Sequence, residues 1–175
     1  TDGMLSDTAT VSITVTAVND APEVEFAIDD LTFSEDNDPY DLADLDTVFV
    51  DIDSELSFDF TNDNMDLLSV SVSAENIVTL TFISDSNGVA NLTFTASDSE
   101  YEVTDSVTIN VTPVNDGPIA DPQSLSTSED QVLSISLTGS DIDSETLTYE
   151  VVTPPSNGGL TGTVPALTYR PDMNY

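Results

Sequence analysis

Two identical five-residue segments carry most of the chemistry open to this sequence. They are Asp51-Ile52-Asp53-Ser54-Glu55 and Asp141-Ile142-Asp143-Ser144-Glu145, ninety residues apart. On extended backbone, successive side chains point to opposite faces, so the two aspartates of each D-x-D share a face. Two carboxylates about 4 Å apart repel by roughly 4 kcal/mol at an effective dielectric near 20, and a divalent cation between them reverses the sign. Carboxylate and carbonyl oxygens suit hard cations, and Ca2+ takes roughly six to eight of them at about 2.3–2.6 Å. The same segments also fit plain acidic turns. They do not fit EF-hand loops, because Leu56 and Thr146 stand where such a loop needs glycine.

The rest of the composition favours cations as partners. Among 175 residues, 34 are acidic and one, Arg170, is basic, for a net charge of −33. Such a chain cannot neutralise nucleic-acid phosphates, which takes Lys and Arg. An anionic membrane surface also repels it. Cys and His are absent. That excludes thiolate and imidazole zinc sites, cysteine nucleophiles, Ser-His-Asp catalysis and disulfide staples. The expectation is a protein that is not an enzyme and that bound metal can stiffen. A hydrophobic fraction of 38% in alternating order argues against disorder. No run is long enough to span a bilayer, and no signal peptide opens the chain. Thr1 reads as lying inside an element, so the chain is expected to be an internal piece of something longer.

The elements that must position the acids come from an internal repeat. V-T-A-V-N-D-A-P at residues 15–22 returns as V-T-P-V-N-D-G-P at 111–118, ninety-six residues on. In that register Asp2 matches Asp98, Val11 matches Val107, Ile13 matches Ile109 and Val15 matches Val111. Ser34-Glu35-Asp36 returns as Ser128-Glu129-Asp130, ahead of the repeated D-x-D-x-E. The first copy is the longer by a few residues, chiefly around Asn37 to Asp46. Three parts follow: residues 1–20 as the C-terminal end of a preceding repeat, 21–115 as a complete repeat of about 95 residues, and 116–175 as the N-terminal part of a following, truncated one.

Period-two runs of Val, Ile, Leu, Phe and Thr predict strands at Val11–Ala17, Leu56–Phe60, Leu68–Val72 and Val78–Phe82. Others are predicted at Leu92–Ala96, Val107–Val111, Leu133–Leu137 and Leu147–Val151. Asn87-Gly88 and Asn157-Gly158-Gly159 mark turns. No stretch has helical periodicity. The fold class expected is all-β, with tandem Greek-key β-sandwich repeats.

V-N-D-A-P, then S-E-D, D-x-D-x-E-x-L and a closing A-S-D resemble the cadherin-like, Ig-like repeats of large bacterial surface proteins. Tyr169-Arg170-Pro171-Asp172-Met173-Asn174-Tyr175 is similar to their mid-repeat Y-x-P-x-x-N-Y segment. The resemblance implies calcium at the junctions between repeats. It assigns Glu35, Asn115, Asp116, Asp141 and Asp143 to the junction near residue 116. To the junction near residue 20 it assigns Asn19, Asp20, Asp51, Asp53 and Asp98. Each junction lacks one contributor from this sequence. The linkers are not of the animal D-x-N-D-N type. Ser84-Asp85-Ser86-Asn87-Gly88 stands in place of an L-D-R-E motif, so one or two ions per junction are expected.

The function expected is a calcium-binding extracellular repeat segment, a calcium-rigidified stalk or cell-adhesion module on a bacterial cell surface. Its partners are calcium ions, adjacent repeats of the same chain, and other cell-surface proteins or glycans, without nucleic acid or membrane insertion. Two other functions fit the same residues. One is a carbohydrate-binding or enzyme-accessory module, with Tyr40, Tyr101 and Tyr149 as a stacking platform. The other is a passive acidic β-sandwich spacer, whose stability responds to ionic strength and not to the identity of the cation.

Overall fold

A computed structural model describes Gly3 and residues 7–174. Asp2 of the repeat register and Tyr175 of the mid-repeat motif lie outside the described residues. The chain divides into two units, Thr1–Thr112 and Pro113–Tyr175.

Unit 1 is a β-sandwich. Its strands are β1 (Glu23–Val24), β2 (Leu31–Ser34), β3 (Tyr40–Asp44), β4 (Phe49–Val50), β5 (Ser57–Asn62), β6 (Leu68–Val72), β7 (Ile77–Phe82), β8 (Gly88–Ser97) and β9 (Glu102–Thr112). One sheet has the order β2-β9-β8-β5 and the other β3-β7-β6, with β1 and β4 paired beside them. The β8–β9 hairpin is the spine, running in register from Gly88↔Val111 to Ser97↔Glu102. Alternation along β9 puts Val107, Ile109 and Val111 inward at 2%, 0% and 2% exposure. They meet Ala90, Leu92, Phe94 and Ala96 of β8 and Leu68, Val78, Leu80 and Phe82 of the other sheet in one core. Aromatic pairs tie that core together, with ring centroids 4.9 Å apart for Phe33–Phe82 and 6.4 Å for Phe60–Phe94.

Strand β2 pairs in parallel with β9, from Leu31↔Ile109 to Ser34↔Thr112. Side chains extend that ladder. Asp30 Oδ1 accepts the Thr108 amide at 2.7 Å, and Asp105 Oδ2 accepts the Ile28 amide at 2.7 Å. The carboxylates stand in for backbone carbonyls and leave fewer edge groups unpaired.

Strands β1 to β4 are not among the expected ones, and neither is the one helical element of the described residues. Leu45–Val48 forms a single helical turn, α1, capped by Asp44, whose side chain accepts the Asp46 amide at 3.0 Å. It buries Leu45 and Val48. A lone turn is too short to show a 3.6-residue period, and it is held by packing rather than by propensity. It lies at the end of the stretch where the first copy is the longer.

Unit 2 has β10 (Ile119–Ala120), β11 (Leu133–Ser136), β12 (Gly139–Ser140), β13 (Gly158–Thr163) and β14 (Ala166–Pro171). Its three-stranded sheet has the order β11-β14-β13, and β10 pairs with β12. At Gly158 a Cβ would collide with the Arg170 carbonyl and the Tyr169 ring, so this position takes no side chain. Leu167, at 8% exposure, is the one buried hydrophobic residue of unit 2 among those described.

Two expected strands do not form. Residues 7–22 pair with no described strand, and Val11, Ile13 and Val15 are 81%, 84% and 88% exposed. Residues 146–151 are likewise without strand pairing. Both have the right alternation, but a strand exists only where a neighbour takes up its backbone N–H and C=O groups.

Candidate metal centre

At one end of unit 1 four polar side chains form a continuous chain. Asp98 opens the loop between β8 and β9 and is only 9% exposed. Its Oδ1 accepts the amides of Tyr101 at 2.6 Å and Glu100 at 2.7 Å. Its Oδ2 accepts from Asn19 Nδ2 at 2.7 Å. Asn19 Oδ1 in turn accepts the Ser54 hydroxyl at 2.9 Å. Ser54 belongs to the turn organised by Asp51, whose Oδ1 accepts the amides of Asp53 at 2.9 Å and Ser54 at 2.7 Å. The Tyr101 amide above all, with the Asn19 side chain and the Glu100 amide, holds the Asp98 carboxyl below its ordinary value of 3.8.

The remaining oxygen, Asp51 Oδ2, is buried and has no hydrogen-bond partner. A buried anionic oxygen without a donor is costly, and the chain's one basic side chain, Arg170, belongs to unit 2. Asp51 and Asp20 both line a concavity of ≈ 790 Å³, together with Pro22, Glu23, Val50 and Ile52. Asp53 is exposed, with its Oδ1 3.4 Å from the Ser54 hydroxyl.

The D-x-D geometry differs from the sequence expectation. The segment is a turn and not extended backbone, because Asp51 spends one oxygen on two amides. The second copy does the same: Asp141 Oδ1 accepts the amides of Asp143 and Ser144, each at 2.9 Å. In both copies the first aspartate therefore keeps one carboxylate oxygen for the turn and has one left over.

Glu35 lies at the other end of unit 1 and is 4% exposed. Its amide donates to the Thr112 carbonyl at 2.9 Å, and its Oε2 accepts from Asn87 Nδ2 at 3.2 Å. Beside it, the Asp85 amide donates to Asp36 Oδ1 at 3.0 Å. Carboxylate oxygens of Asp36 and Asp85 approach within 4.8 Å. Asn115, Asp116, Asp141 and Asp143 belong to unit 2. There Asp143 Oδ2 accepts the Asp116 amide, and oxygens of these two carboxylates lie within 4.8 Å. Asn115 Nδ2 donates to the Asp116 carbonyl at 2.7 Å. Acidic groups so spaced can hold a metal ion.

Ser54, Asp36, Asp85 and Asn87 are absent from the sequence-based set. A signal for two of them was available. Ser54 repeats as Ser144 and Asp36 as Asp130, and the structure gives Asp36 and Asp130 the same left-handed backbone, φ 59° and 63°. Of the three tyrosines, Tyr40 packs on Phe33 with centroids 5.0 Å apart, and Tyr40 and Tyr101 both remain exposed.

Residues 115–175 match the sequence profile of the bacterial Ig domain family. That stretch is Ig-like, and unit 1 is an all-β sandwich. No curated protein matches the chain. Among solved structures, an endo-fucoidan hydrolase of glycoside hydrolase family 107 aligns at 16% identity and TM-score 0.45 over 87% of this chain. This chain spans 24% of that enzyme's length. A chimeric titin Z1Z2 carrying a decorin peptide aligns at 9% identity and TM-score 0.39, covering 91% of this chain and 85% of its own. A titin I-band fragment aligns at 12% identity and TM-score 0.40, covering 87% and 55%. No described helix is long and apolar enough to cross a membrane.

Proposed function

We propose that this chain is a calcium-binding segment of extracellular tandem repeats, acting as a calcium-stiffened stalk or adhesion module. Its parts are then the end of one repeat (1–20), a complete repeat (21–115) and the start of another (116–175). The observation that carries the reading is Asp51 Oδ2, a buried carboxylate oxygen with no donor in a chain of net charge −33. Ca2+ bound there draws on Asp51 Oδ2 and on Asp20, which lines the same concavity, with Asn19, Asp53 and Asp98 as the other donors this reading assigns to the centre. The turn around Asp51 leaves that oxygen over after its partner has satisfied two amides. In unit 2, Asn115, Asp116, Asp141 and Asp143 are the donors of a second calcium centre, and Glu35 is a further candidate donor at the far end of unit 1.

The test is thermal unfolding in calcium, in magnesium and in chelator at matched ionic strength. Metal that binds only the folded form stabilises by roughly 2.7 kcal/mol per site at 100 times its dissociation constant. The expected result is a calcium-specific rise in Tm that Asp51→Asn removes from unit 1. The substitution keeps the oxygen that caps the turn and deletes the carboxylate charge. An equal response to every salt returns the protein to a passive acidic spacer.

A further inference from the structure

Within unit 1 the chain changes sheets between β1 and β2, and a groove opens where it does. Strand β1 pairs with β4, and the amides of Glu25 and Phe26 donate to the Val48 carbonyl at 2.8 and 3.4 Å. Beyond Phe26 the chain turns to the other sheet. The Ile28 amide donates to Asp105, Asp30 accepts the Thr108 amide, and β2 then runs beside β9. Strand β3 therefore pairs with β7 on one side and with no described strand on the other. Between β3 and residues 26–31 lies a groove of ≈ 340 Å³. Ile28, Leu31 and Leu42 give it an apolar lining, and Phe26 and Tyr40 line it while remaining 65% and 41% exposed. Two carboxylates, Asp29 and Asp44, line it as well.

We infer that this groove takes an extended segment of a partner protein, rich in Lys or Arg, which adds as a strand to the free edge of β3. An edge strand turns alternate main-chain N–H and C=O groups outward. An added strand satisfies them, and its alternate side chains enter the groove. The five residues of β3 offer roughly 17 Å of pairing length. Charge selects the occupant. Asp41 and Asp44 lie on β3 and Asp29 on the facing wall, so a basic strand is attracted and an acidic one repelled. This sequence, with 34 acidic residues and one basic one, supplies no such segment, and a second copy brings only like charge. Phe26 and Tyr40 add ring faces on which a cationic side chain can rest. The edge acids and the bulge between Asp41 and Ala43 guard β3 against its own kind. The acids have no counterpart in unit 2, where the equivalent strand, β11, reads Leu-Ser-Ile-Ser.

The test is an NMR titration of the isotope-labelled 175-residue chain with a synthetic peptide of alternating lysine and valine. Physiological salt screens distant charges, and excess calcium occupies the acids of the metal centres. The expected result is a saturable set of amide shifts confined to β3 and residues 26–31. A peptide with proline in place of each valine keeps the charge but cannot join a ladder, and it binds about tenfold more weakly or worse. Asp29→Lys with Asp41→Lys, both at exposed positions, weakens the lysine–valine peptide by about tenfold or more. Asp59→Lys with Glu75→Lys makes the same change of net charge at exposed positions outside the groove and leaves Kd within about twofold. Three results overturn the inference: no saturable shift at millimolar peptide, equal binding of the proline peptide, or an equal loss from both pairs of substitutions. The proline comparison uses the unaltered protein, so it decides even where a substitution disturbs folding.

Discussion

The two units begin from the same motifs and end with very different interiors. Strands β3, β7 and β6 of unit 1 correspond to β11, β14 and β13 of unit 2, in the same sheet order. The small pairs β1–β4 and β10–β12 correspond as well, Glu23↔Val50 matching Ile119↔Ser140. The counterparts of β2 and β5, residues 125–128 and 147–152, are unpaired. In unit 1 these are the two outer strands of the sheet whose centre is β8 and β9. Among the described residues unit 2 has no counterpart of that central hairpin. The lesson is that local pairing and core formation are separable. A meander of neighbouring strands forms one sheet without help, whereas burial of its apolar face waits for the second sheet.

Substitutions at repeat-equivalent positions sharpen that contrast. Ile109 and Ile13 occupy the same place in the repeat, one fully buried and one 84% exposed. Ile109→Ala is expected to destabilise unit 1 by about 2–5 kcal/mol in denaturant unfolding. Ile13→Ala, in dilute solution, stays within about 0.5 kcal/mol of the parent. A large effect at Ile13 in dilute solution would mean that the N-terminal segment is already packed.

A smaller effect is expected in the Asp98 loop. Ser99 holds φ at 82°, a left-handed conformation that costs a side-chain-bearing residue roughly 1–2 kcal/mol. The repeat-equivalent residue is Gly3, at φ 93°. Ser99→Gly is therefore expected to raise the stability of unit 1 by up to about 1 kcal/mol, read as a higher denaturant midpoint. Part of the gain is offset by the extra freedom of glycine in the unfolded chain.

The smallest effect concerns acid. Asp63 is held below its ordinary 3.8 by the Asn91 side chain and the Asn91 amide, at 2.8 Å and 2.7 Å. A depressed carboxyl adds stability that is present above 3.8 and disappears as pH falls through the folded value. Asp63→Asn should lower the unfolding midpoint of unit 1 near neutrality and leave it unchanged once the carboxyl is protonated. Thr153 stands at the equivalent place in unit 2, so unit 2 should contribute no such term.

The site divides along similar lines. The repeated D-x-D-x-E marked Asp51 and Asp141 as candidates, and the linker N-D marked Asn19 and Asn115. Ser54 recurs as Ser144, yet a serine between two acids reads as filler. Its role appears only when the Asp51 turn brings its hydroxyl to Asn19, thirty-five residues away in sequence. Asp85 and Asn87 were hidden in a segment noted only for lacking a family motif. Their link to Asp36 and Glu35 spans about half of unit 1 in sequence.

By itself the sequence determined the repeat, its all-β character, the hairpins between neighbouring strands and the positions at which carboxylates accumulate. These depend on alternation, turn residues and charge, all of which are local. Only the tertiary structure decided which alternating runs become strands, why Val107–Val111 is core while Val11–Val15 is bare, and which carboxylate oxygen is left without a donor. Each of those outcomes is set by partners distant in sequence: a strand needs another strand's amides and carbonyls, and an oxygen is orphaned only after its neighbours have chosen their hydrogen bonds.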